Sequence, residues 1–334
     1  MRKRTIILCV SCVVVLLLAV PPIMLLSSCY DAEQENQVYI YDSDTPVTVK
    51  QKLAGVGVRT RGFSLLNRLL DYKVRSGRYT IRRGNSILSI FRKLRNGQQD
   101  PFNLTIPSVR TLDRLYAYLG EHLMMDSATV AQELADGWAD GAHSYSVETL
   151  PALFIPNTYQ VYWNISVSDF LARMQRENDA FWSGERDQKA KAMGMTRTEV
   201  ATLASIVDEE TSNNQEKPMV AGMYVKRLSI GMPLQADPTV KFALGDFSLR
   251  RIWGKHLTVD NPYNTYKNTG LPPGPIRIAS IVGIDAVLNH VKHDYLYMCA
   301  KEDFSGTHNF ARTYPEHMQN ARRYAQALNQ RGIK

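Results

Sequence analysis

The N-terminal segment of the chain constrains its fold more than any other feature. Residues 5–28 contain no charged side chain, and about 20 apolar residues are enough to cross the hydrocarbon core of a bilayer. Arg2, Lys3 and Arg4 precede this segment, and the first acidic residue is Asp31. Because basic residues stay on the cytoplasmic side, we predict a cytoplasmic tail at 1–4, a transmembrane anchor at 5–28, and an extracytoplasmic remainder.

Two other interpretations of the segment stay open. It could be a cleaved signal peptide, although it is long for one. Residues 26–29, Leu-Ser-Ser-Cys, also resemble a bacterial lipobox, which would make Cys29 a lipidated N-terminus. In each case the rest of the chain folds on the outer side of the membrane.

Charge and cysteine content exclude several classes of protein. The formal net charge of the 334-residue chain is +8, and three of the 40 basic residues flank the anchor. The remaining excess of 37 basic over 32 acidic residues is small and scattered, which does not indicate nucleic-acid binding. Cys9, Cys12 and Cys29 lie in or beside the apolar segment, so Cys299, which we expect in the core, cannot belong to a disulfide framework.

Residues 36–104 are predicted to form a small module. The pattern is strand, helix, helix, strand, followed by a helix with Ser86 as a candidate N-cap and Gly97 beyond its end. This order resembles a sugar-binding module of the LysM type, with a βααβ arrangement. A small α/β linker domain would give a similar pattern.

Residues 105–334 are predicted to form a larger mixed domain, which makes the whole chain α+β. Helical patterns occur around 127–137, 167–183, 197–212, 215–229, 279–292 and 314–331. An aromatic-rich loop and strand are predicted in 150–166, and a second strand at 295–300. Between them, residues 231–280 are rich in Pro, Gly and Asn. Because irregular segments of this length are uncommon, we expect this one to be functional.

The segment 196–212, TRTEVATLASIVDEETS, carries the best candidate for catalysis. Glu210 lies near the middle of an apolar helical arc, at about 100° per residue, whereas Asp208 and Glu209 are predicted to project outward. The arc consists of Val200, Leu203, Ile206 and Val207. Burial raises the pKa of a carboxyl group, so Glu210 is a candidate general acid. Alternatively, Glu210 is the last inward residue of an ordinary helix and is paired with a buried Arg or a backbone amide.

Polar and aromatic side chains typical of sugar sites favour the catalytic interpretation. They lie in 231–280 and are Gln235, Asp237, Thr239, Tyr263, Asn264, Thr265 and Tyr266, followed by a rigid turn at 270–274. Asp237 precedes Pro238 and could anchor a turn or orient a substrate. These polar side chains could equally brace the loop by hydrogen bonds.

Four motifs in order resemble those of the endolytic murein transglycosylases, the MltG/YceG-like family. They are SIVDEET (205–211), RLSIGMPLQADPTV (227–240), YNTY with GLPPGPI (263–276) and GTHNF (306–310). The resemblance extends over nearly the whole chain, including FIPNTYQVY at 154–162. The family's catalytic Glu precedes the Thr of the first motif, which places it on Glu210. At 208–209 this chain has Asp-Glu where the family often has Glu-Lys.

The resemblance implies non-hydrolytic cleavage of the β-1,4 bond between N-acetylmuramic acid and N-acetylglucosamine. Glu210 would protonate the glycosidic oxygen, and its carboxylate would then accept the proton of the muramyl C6 hydroxyl, leaving a 1,6-anhydro end. Substrate contacts are expected from the side chains of Gln235, Asp237, Thr239, Asn264, Thr265, Tyr266 and His308. The implied location is the bacterial cytoplasmic membrane with a periplasmic catalytic domain. The expected partners are peptidoglycan glycan strands, the membrane, and candidate peptidoglycan synthases or penicillin-binding proteins, without cofactor or nucleic acid.

Other functions fit parts of the sequence. A non-catalytic protein that binds or scaffolds the wall could use the LysM-like module and the groove. A glycoside hydrolase could pair Glu210 with Asp237, since such enzymes typically use two carboxyl groups. We do not predict a metal site, because the histidines, including His290 and His293, show no ligand spacing typical of zinc.

Overall fold

In a computed structural model, residues 22–137, 145–249 and 251–332 are described. They form a mixed α+β protein with three two-stranded sheets. The chain divides into two compact units. Of the described residues, the first contains those up to Leu104 together with His122–Met125 and Tyr159–Ile165, and the second contains the others.

The first unit is built on an antiparallel pair of strands, β1 and β2, in which Val38 lies opposite Tyr79. Its elements are β1 (Asn36–Ile40), α1 (Pro46–Gly55), α2 (Phe63–Leu70), β2 (Gly77–Ile81) and α3 (Ile87–Arg95). Ser86 caps α3 by accepting a hydrogen bond from the backbone N–H of Ser89, as the sequence predicted. Alternate residues of β2 and one face of each helix close over a common apolar core.

Cys29 belongs to the core of the first unit. Only 5% of the residue is exposed, and its Sγ donates to the backbone carbonyl of Asn85 at 3.2 Å. A lipidated cysteine needs its sulfur at the membrane surface, so this placement argues against lipidation of Cys29.

A later part of the chain returns to complete the first unit. Trp163 is 5% exposed and its ring contacts those of Tyr39 and Tyr41, with centroids 5.0 and 4.8 Å away. The amide of Asn164 donates to the backbone carbonyl of Ser76 at 3.1 Å and accepts from Gln99 at 2.8 Å. Residues far beyond position 104 are therefore structural parts of this unit.

The remaining elements lie wholly or partly in the second unit. They are β3 (Phe102–Thr105), α4 (Leu112–His122), α5 (Ser127–Gly137), a 3₁₀ turn (Leu150–Leu153), β4 (Thr158–Val161), α6 (Val167–Trp182), α7 (Glu185–Ala192), α8 (Arg197–Glu210), α9 (Lys217–Ser229), α10 (Asp237–Leu244), α11 (Gly254–Leu257), α12 (Ile281–Leu288), β5 (Tyr297–Ala300), β6 (His308–Ala311) and α13 (Tyr314–Gln330). Strand β3 pairs with β4. Strands β5 and β6 form an antiparallel pair in which Cys299 lies opposite Asn309.

Helix α8 is the central helix of the second unit. Every residue from Val200 to Val207 is buried, and α9, α10 and α12 pack around it. A capping box between Thr196 and Glu199 fixes its start. Since a helix buried on all sides contributes most of its surface to the core, α8 gives the site at its C-terminal end a rigid support.

Most of the elements predicted from the sequence are confirmed, but two expectations are wrong and two elements were not predicted. The segment 231–280 contains two helices, α10 and α11. Helix α7, which is almost wholly polar, and strand β6 had no prediction. The helix expected at 279–292 ends at Leu288, so His290 and His293 lie beyond it.

The predicted membrane anchor at 5–28 lies largely outside the described residues. Across 22–137, 145–249 and 251–332, none of the helices combines the length and apolarity that a membrane crossing requires.

Candidate active site

The candidate catalytic residue, Glu210, is the last residue of α8. The chain turns to an extended conformation at Thr211, whose backbone N–H donates to the carbonyl of Val207 at 3.2 Å. The Thr211 hydroxyl donates to Oε2 of Glu216 at 3.0 Å, and both side chains are buried. The extended conformation of Thr211 ends the helix directly after Glu210.

The prediction that Asp208 and Glu209 face outward is wrong. The side chain of Asp208 is 3% exposed, and its Oδ1 lies 2.6 Å from Nζ of Lys217. Glu209 is 11% exposed and accepts from Arg110 and Arg277, each at 2.8 Å. From Val200 onward α8 has no solvent-facing side, so Asp208 and Glu209 are enclosed and each is paired with a cation.

Glu210 lies in a cleft of about 250 Å³ in the second unit. The lining is mostly polar, and its elements come from widely separated parts of the sequence. It consists of Glu210, Met223, Tyr224, Arg227, Leu234, Gln235, Asp237, Tyr266, Met298, Cys299, Ala300 and His308. Cys299 therefore lines the cleft, partly exposed, and is not the core residue expected from its apolar neighbours.

The pKa of Glu210 is raised from 4.5 to about 7. Burial is the main cause, because a charged carboxylate loses the solvation of water, and the negative charge of Asp237 adds to the effect. A hydrogen bond from Tyr224 and the charges of His308 and Lys241 act in the opposite direction. Close to neutral pH, the carboxyl group can both give and receive a proton.

Tyr224 holds the carboxyl group of Glu210 in place. Its hydroxyl donates to Oε1 of Glu210 at 2.7 Å, and the whole side chain is buried in the middle of α9. Burial raises the pKa of Tyr224 well above 10.0, so it remains a donor. Because this bond engages Oε1, we assign the exchangeable proton of the carboxyl group to Oε2.

Arg227 supports the floor of the cleft one turn further along α9. It is 5% exposed and donates to three backbone carbonyls, those of Leu296 at 2.6 Å, Pro233 at 3.1 Å and Leu234 at 2.6 Å. Burial lowers the pKa of Arg227. This residue fixes the backbone that leads into Gln235.

Three of the predicted substrate contacts line the cleft in the segment after α9. Tyr266 donates from its hydroxyl to Oδ1 of Asp237 at 2.6 Å, and burial is the main cause that raises the pKa of Tyr266. Gln235 is exposed and has a φ of 51°, a left-handed conformation that costs free energy in any residue other than glycine. Its backbone N–H donates to the carbonyl of Thr265 at 3.1 Å, which holds the conformation.

The substrate contacts predicted for Thr239, Asn264 and Thr265 are not supported by the structure. All three side chains are at most 1% exposed. The hydroxyls of Thr239 and Thr265 lie 2.8 Å apart, and Asn264 donates to the backbone carbonyls of Leu257 and Val259. They brace the loops that carry Gln235 and Tyr266, which is the alternative that the sequence left open.

His308 lines the cleft at the start of β6 and is held by Glu216. Its backbone N–H lies 2.6 Å from Oε1 of Glu216, and its Nδ1 lies 2.9 Å from Oε2. Glu216 is 8% exposed and immediately precedes α9.

Sequence reasoning missed four residues of this site, namely Tyr224, Arg227, Glu216 and Lys241. Tyr224 and Arg227 are spaced three apart on α9, which would have put them on one helical face. The sequence around Glu216 does not indicate a role in this site, because its partner His308 lies far along the chain on β6.

The two histidines considered as metal ligands are bonded to the backbone. Nδ1 of His290 lies 2.9 Å from the carbonyl of Val287, and Nε2 of His293 lies 2.9 Å from that of Met219. Within the part of the chain that the structure describes, no three His, Cys, Asp or Glu side chains converge as metal ligands.

Proteins similar to this chain are found both by sequence and by structure. A sequence model of the YceG-like family matches residues 38–323. The chain is similar to the endolytic murein transglycosylase of Bacillus subtilis (strain 168), with 28% identity over 272 residues, or 77% of this chain and 74% of that protein.

Two further matches agree with it. The endolytic murein transglycosylase of Streptococcus pneumoniae serotype 2 (strain D39 / NCTC 7466) is 27% identical over 273 residues, which cover 71% of this chain but 49% of that protein. The crystal structure of the yceG-like protein lmo1499 from Listeria monocytogenes superposes with a TM-score of 0.57 at 25% identity, covering 86% of this chain and 99% of the other. Since the family model matches well over half of the sequence, the chain belongs to the YceG-like family.

Proposed function

We propose that this protein is an endolytic murein transglycosylase, which cuts peptidoglycan glycan strands internally and without water. The observation that carries the proposal is Glu210, a carboxyl group with a pKa of about 7 in a polar cleft. The names of the relatives from Bacillus and Streptococcus support the substrate class.

The first chemical step uses Glu210 as a general acid. The proton on Oε2 passes to the glycosidic oxygen between N-acetylmuramic acid and N-acetylglucosamine, and the bond from C1 to that oxygen breaks. Tyr224 donates to Oε1 throughout, and a hydrogen bond to the charged form is stronger than one to the neutral form. The carboxylate that develops is therefore stabilised as the sugar leaves.

The second step uses the same carboxylate as a general base. It accepts the proton of the muramyl C6 hydroxyl, whose oxygen bonds to C1 and closes the 1,6-anhydro ring. Glu210 returns to its protonated state, so the reaction consumes neither water nor a cofactor. A pKa near 7 suits a group that must act in both directions.

One carboxyl group is sufficient because the nucleophile belongs to the substrate. A hydrolase would need a second group to activate water, and Asp237 is the candidate in the cleft. Asp237 instead begins α10 and accepts a hydrogen bond from Tyr266, an arrangement that suits orientation of the sugar.

Mass analysis of the sugars released from uncross-linked glycan strands tests the proposal. Wild-type protein should give products lighter than hydrolytic products by one water, and Glu210→Gln should give none. Glu199→Gln, at the other end of α8, is the matched control and should keep activity, since glutamine also completes a capping box. Ordinary reducing ends would identify a hydrolase, and intact strands with wild-type protein would favour a binding function.

We further propose that residues 5–28 anchor the chain in the bacterial cytoplasmic membrane, with 36–104 as a LysM-like module and 105–334 as the catalytic domain in the periplasm. The order β1, α1, α2, β2 supports the module. Anchoring would keep cleavage near nascent strands and their synthases, and so limit strand length. An exported form beginning at residue 22 should cut isolated glycan but fail to restore strand length in cells; full restoration would refute the role of the anchor.

A further inference from the structure

Glu216 makes a set of contacts that the proposed chemistry does not use. Its carboxylate is 8% exposed and receives three hydrogen bonds. Oε1 accepts the backbone N–H of His308 at 2.6 Å, while Oε2 accepts the Thr211 hydroxyl at 3.0 Å and Nδ1 of His308 at 2.9 Å. Two of the three bonds hold His308, one through its backbone and one through its ring, so Glu216 fixes the position of that ring.

These contacts determine which nitrogen of His308 carries the proton. An ionised carboxylate only accepts hydrogen bonds, so Nδ1 must be the donor. In a neutral imidazole the other nitrogen, Nε2, then has a free lone pair. The ring lines the same cleft as Glu210.

We propose that Glu216 is a positioning residue, which holds His308 in the tautomer protonated at Nδ1 and so presents Nε2 to the cleft as a hydrogen-bond acceptor for the sugar. The donor is a hydroxyl or amide N–H of the glycan bound beside Glu210. The inference rests on the proposed function, because it requires a glycan in this cleft. Nε2 of His308 would then favour sugars that place a hydroxyl or amide N–H within hydrogen-bond distance of it.

Glu216→Gln tests the tautomer while keeping the shape of the side chain. The amide oxygen can still accept the backbone N–H of His308, which leaves the amide NH₂ facing Nδ1. Two donors cannot face each other, so Nδ1 becomes the acceptor and the proton moves to Nε2. The cleft then offers a donor where the sugar needs an acceptor, and kcat/KM should fall about 10- to 100-fold.

A double-mutant cycle separates this role from a structural one. His308→Gln places an amide oxygen near the position of Nε2 and does not need Glu216 to select it, so it should retain more activity than His308→Ala. If Glu216 acts through His308, Glu216→Gln should cost little further activity in the His308→Gln protein. An additive loss of activity would overturn the proposal, and Glu199→Gln again serves as the control.

Nitrogen NMR of the histidine rings gives a readout that does not depend on cleavage. In wild-type protein, His308 should show its proton on Nδ1, and in Glu216→Gln on Nε2. The Nε2 resonance of His308 is identified as the one that is missing from the spectrum of His308→Gln. Adding a GlcNAc–MurNAc tetrasaccharide to the Glu210→Gln protein should shift this resonance. A proton on Nε2 in wild-type protein, or no shift when the tetrasaccharide binds, would overturn the inference, whereas absence of cleavage alone would overturn only the proposed function.

Discussion

Replacing Glu210 by glutamine should make the protein more stable at alkaline pH while removing its activity. In the folded state the pKa of Glu210 is about 7, against 4.5 for the same group in ordinary surroundings. The folded state therefore binds more protons than the unfolded state between these two values, and stability falls as pH rises through this range. At 1.36 kcal/mol per pH unit, the carboxylate costs about 3 kcal/mol of folding free energy once it is fully ionised.

Glutamine keeps an oxygen that can accept from Tyr224 and carries no charge, so it removes this cost. The stability of the variant relative to wild type should therefore increase by about 2.5 kcal/mol between about pH 5 and about pH 8. Urea unfolding at the two pH values measures both differences, and the subtraction cancels all groups that titrate alike in the two proteins.

The change with pH of the stability difference between variant and wild type decides whether the pKa of Glu210 is raised. A stability difference that stays constant from about pH 5 to about pH 8 would mean that Glu210 ionises normally, which would remove the physical basis for its role as an acid. A gain at high pH without loss of cleavage would show that the raised pKa has no catalytic purpose.

Further predictions concern the neighbours of Glu210 and the ion pair between Asp208 and Lys217. Tyr224→Phe removes the bond that favours the carboxylate, so the alkaline limb of kcat/KM should move upward by about one pH unit; an unchanged limb would contradict the assignment. Asp237→Asn removes a negative charge that raises the pKa of Glu210, so the same limb should move downward, and loss of all activity would instead favour a hydrolase. Lys217→Met should destabilise the fold by about 3 kcal/mol in urea unfolding, because it leaves the buried charge of Asp208 without its partner; a cost below about 1 kcal/mol would show that the site relaxes.

Elements with clear signals at their ends could be predicted from the sequence. Helix α3 has an N-cap serine at one end and a glycine just beyond the other, and its four buried residues repeat at helical spacing. Helix α7 has one buried residue, Ala190, so hydrophobic periodicity could not reveal it.

Helical periodicity predicted the environment of one site residue, Glu210, because that environment follows from its own helix. The apolar arc indicated an enclosed Glu210, and the structure gives it a raised pKa. The same periodic argument failed for Asp208 and Glu209. It assumes a helix with one solvent-facing side, whereas α8 is enclosed on all sides from Val200 onward. The residues that shift the pKa of Glu210 lie on α9, α10 and β6, and spacing along the sequence does not show which elements pack together.

The return of the chain to its first unit has a consequence for how this protein can change. Trp163 and Asn164 complete a body whose other residues come mostly from before position 105. A deletion or exchange that ends at residue 104 would remove the ring that packs on Tyr39 and Tyr41, and would expose apolar surface on both. The first unit therefore cannot be shuffled between proteins as a single uninterrupted cassette, and its descent is tied to that of the segment around residue 160.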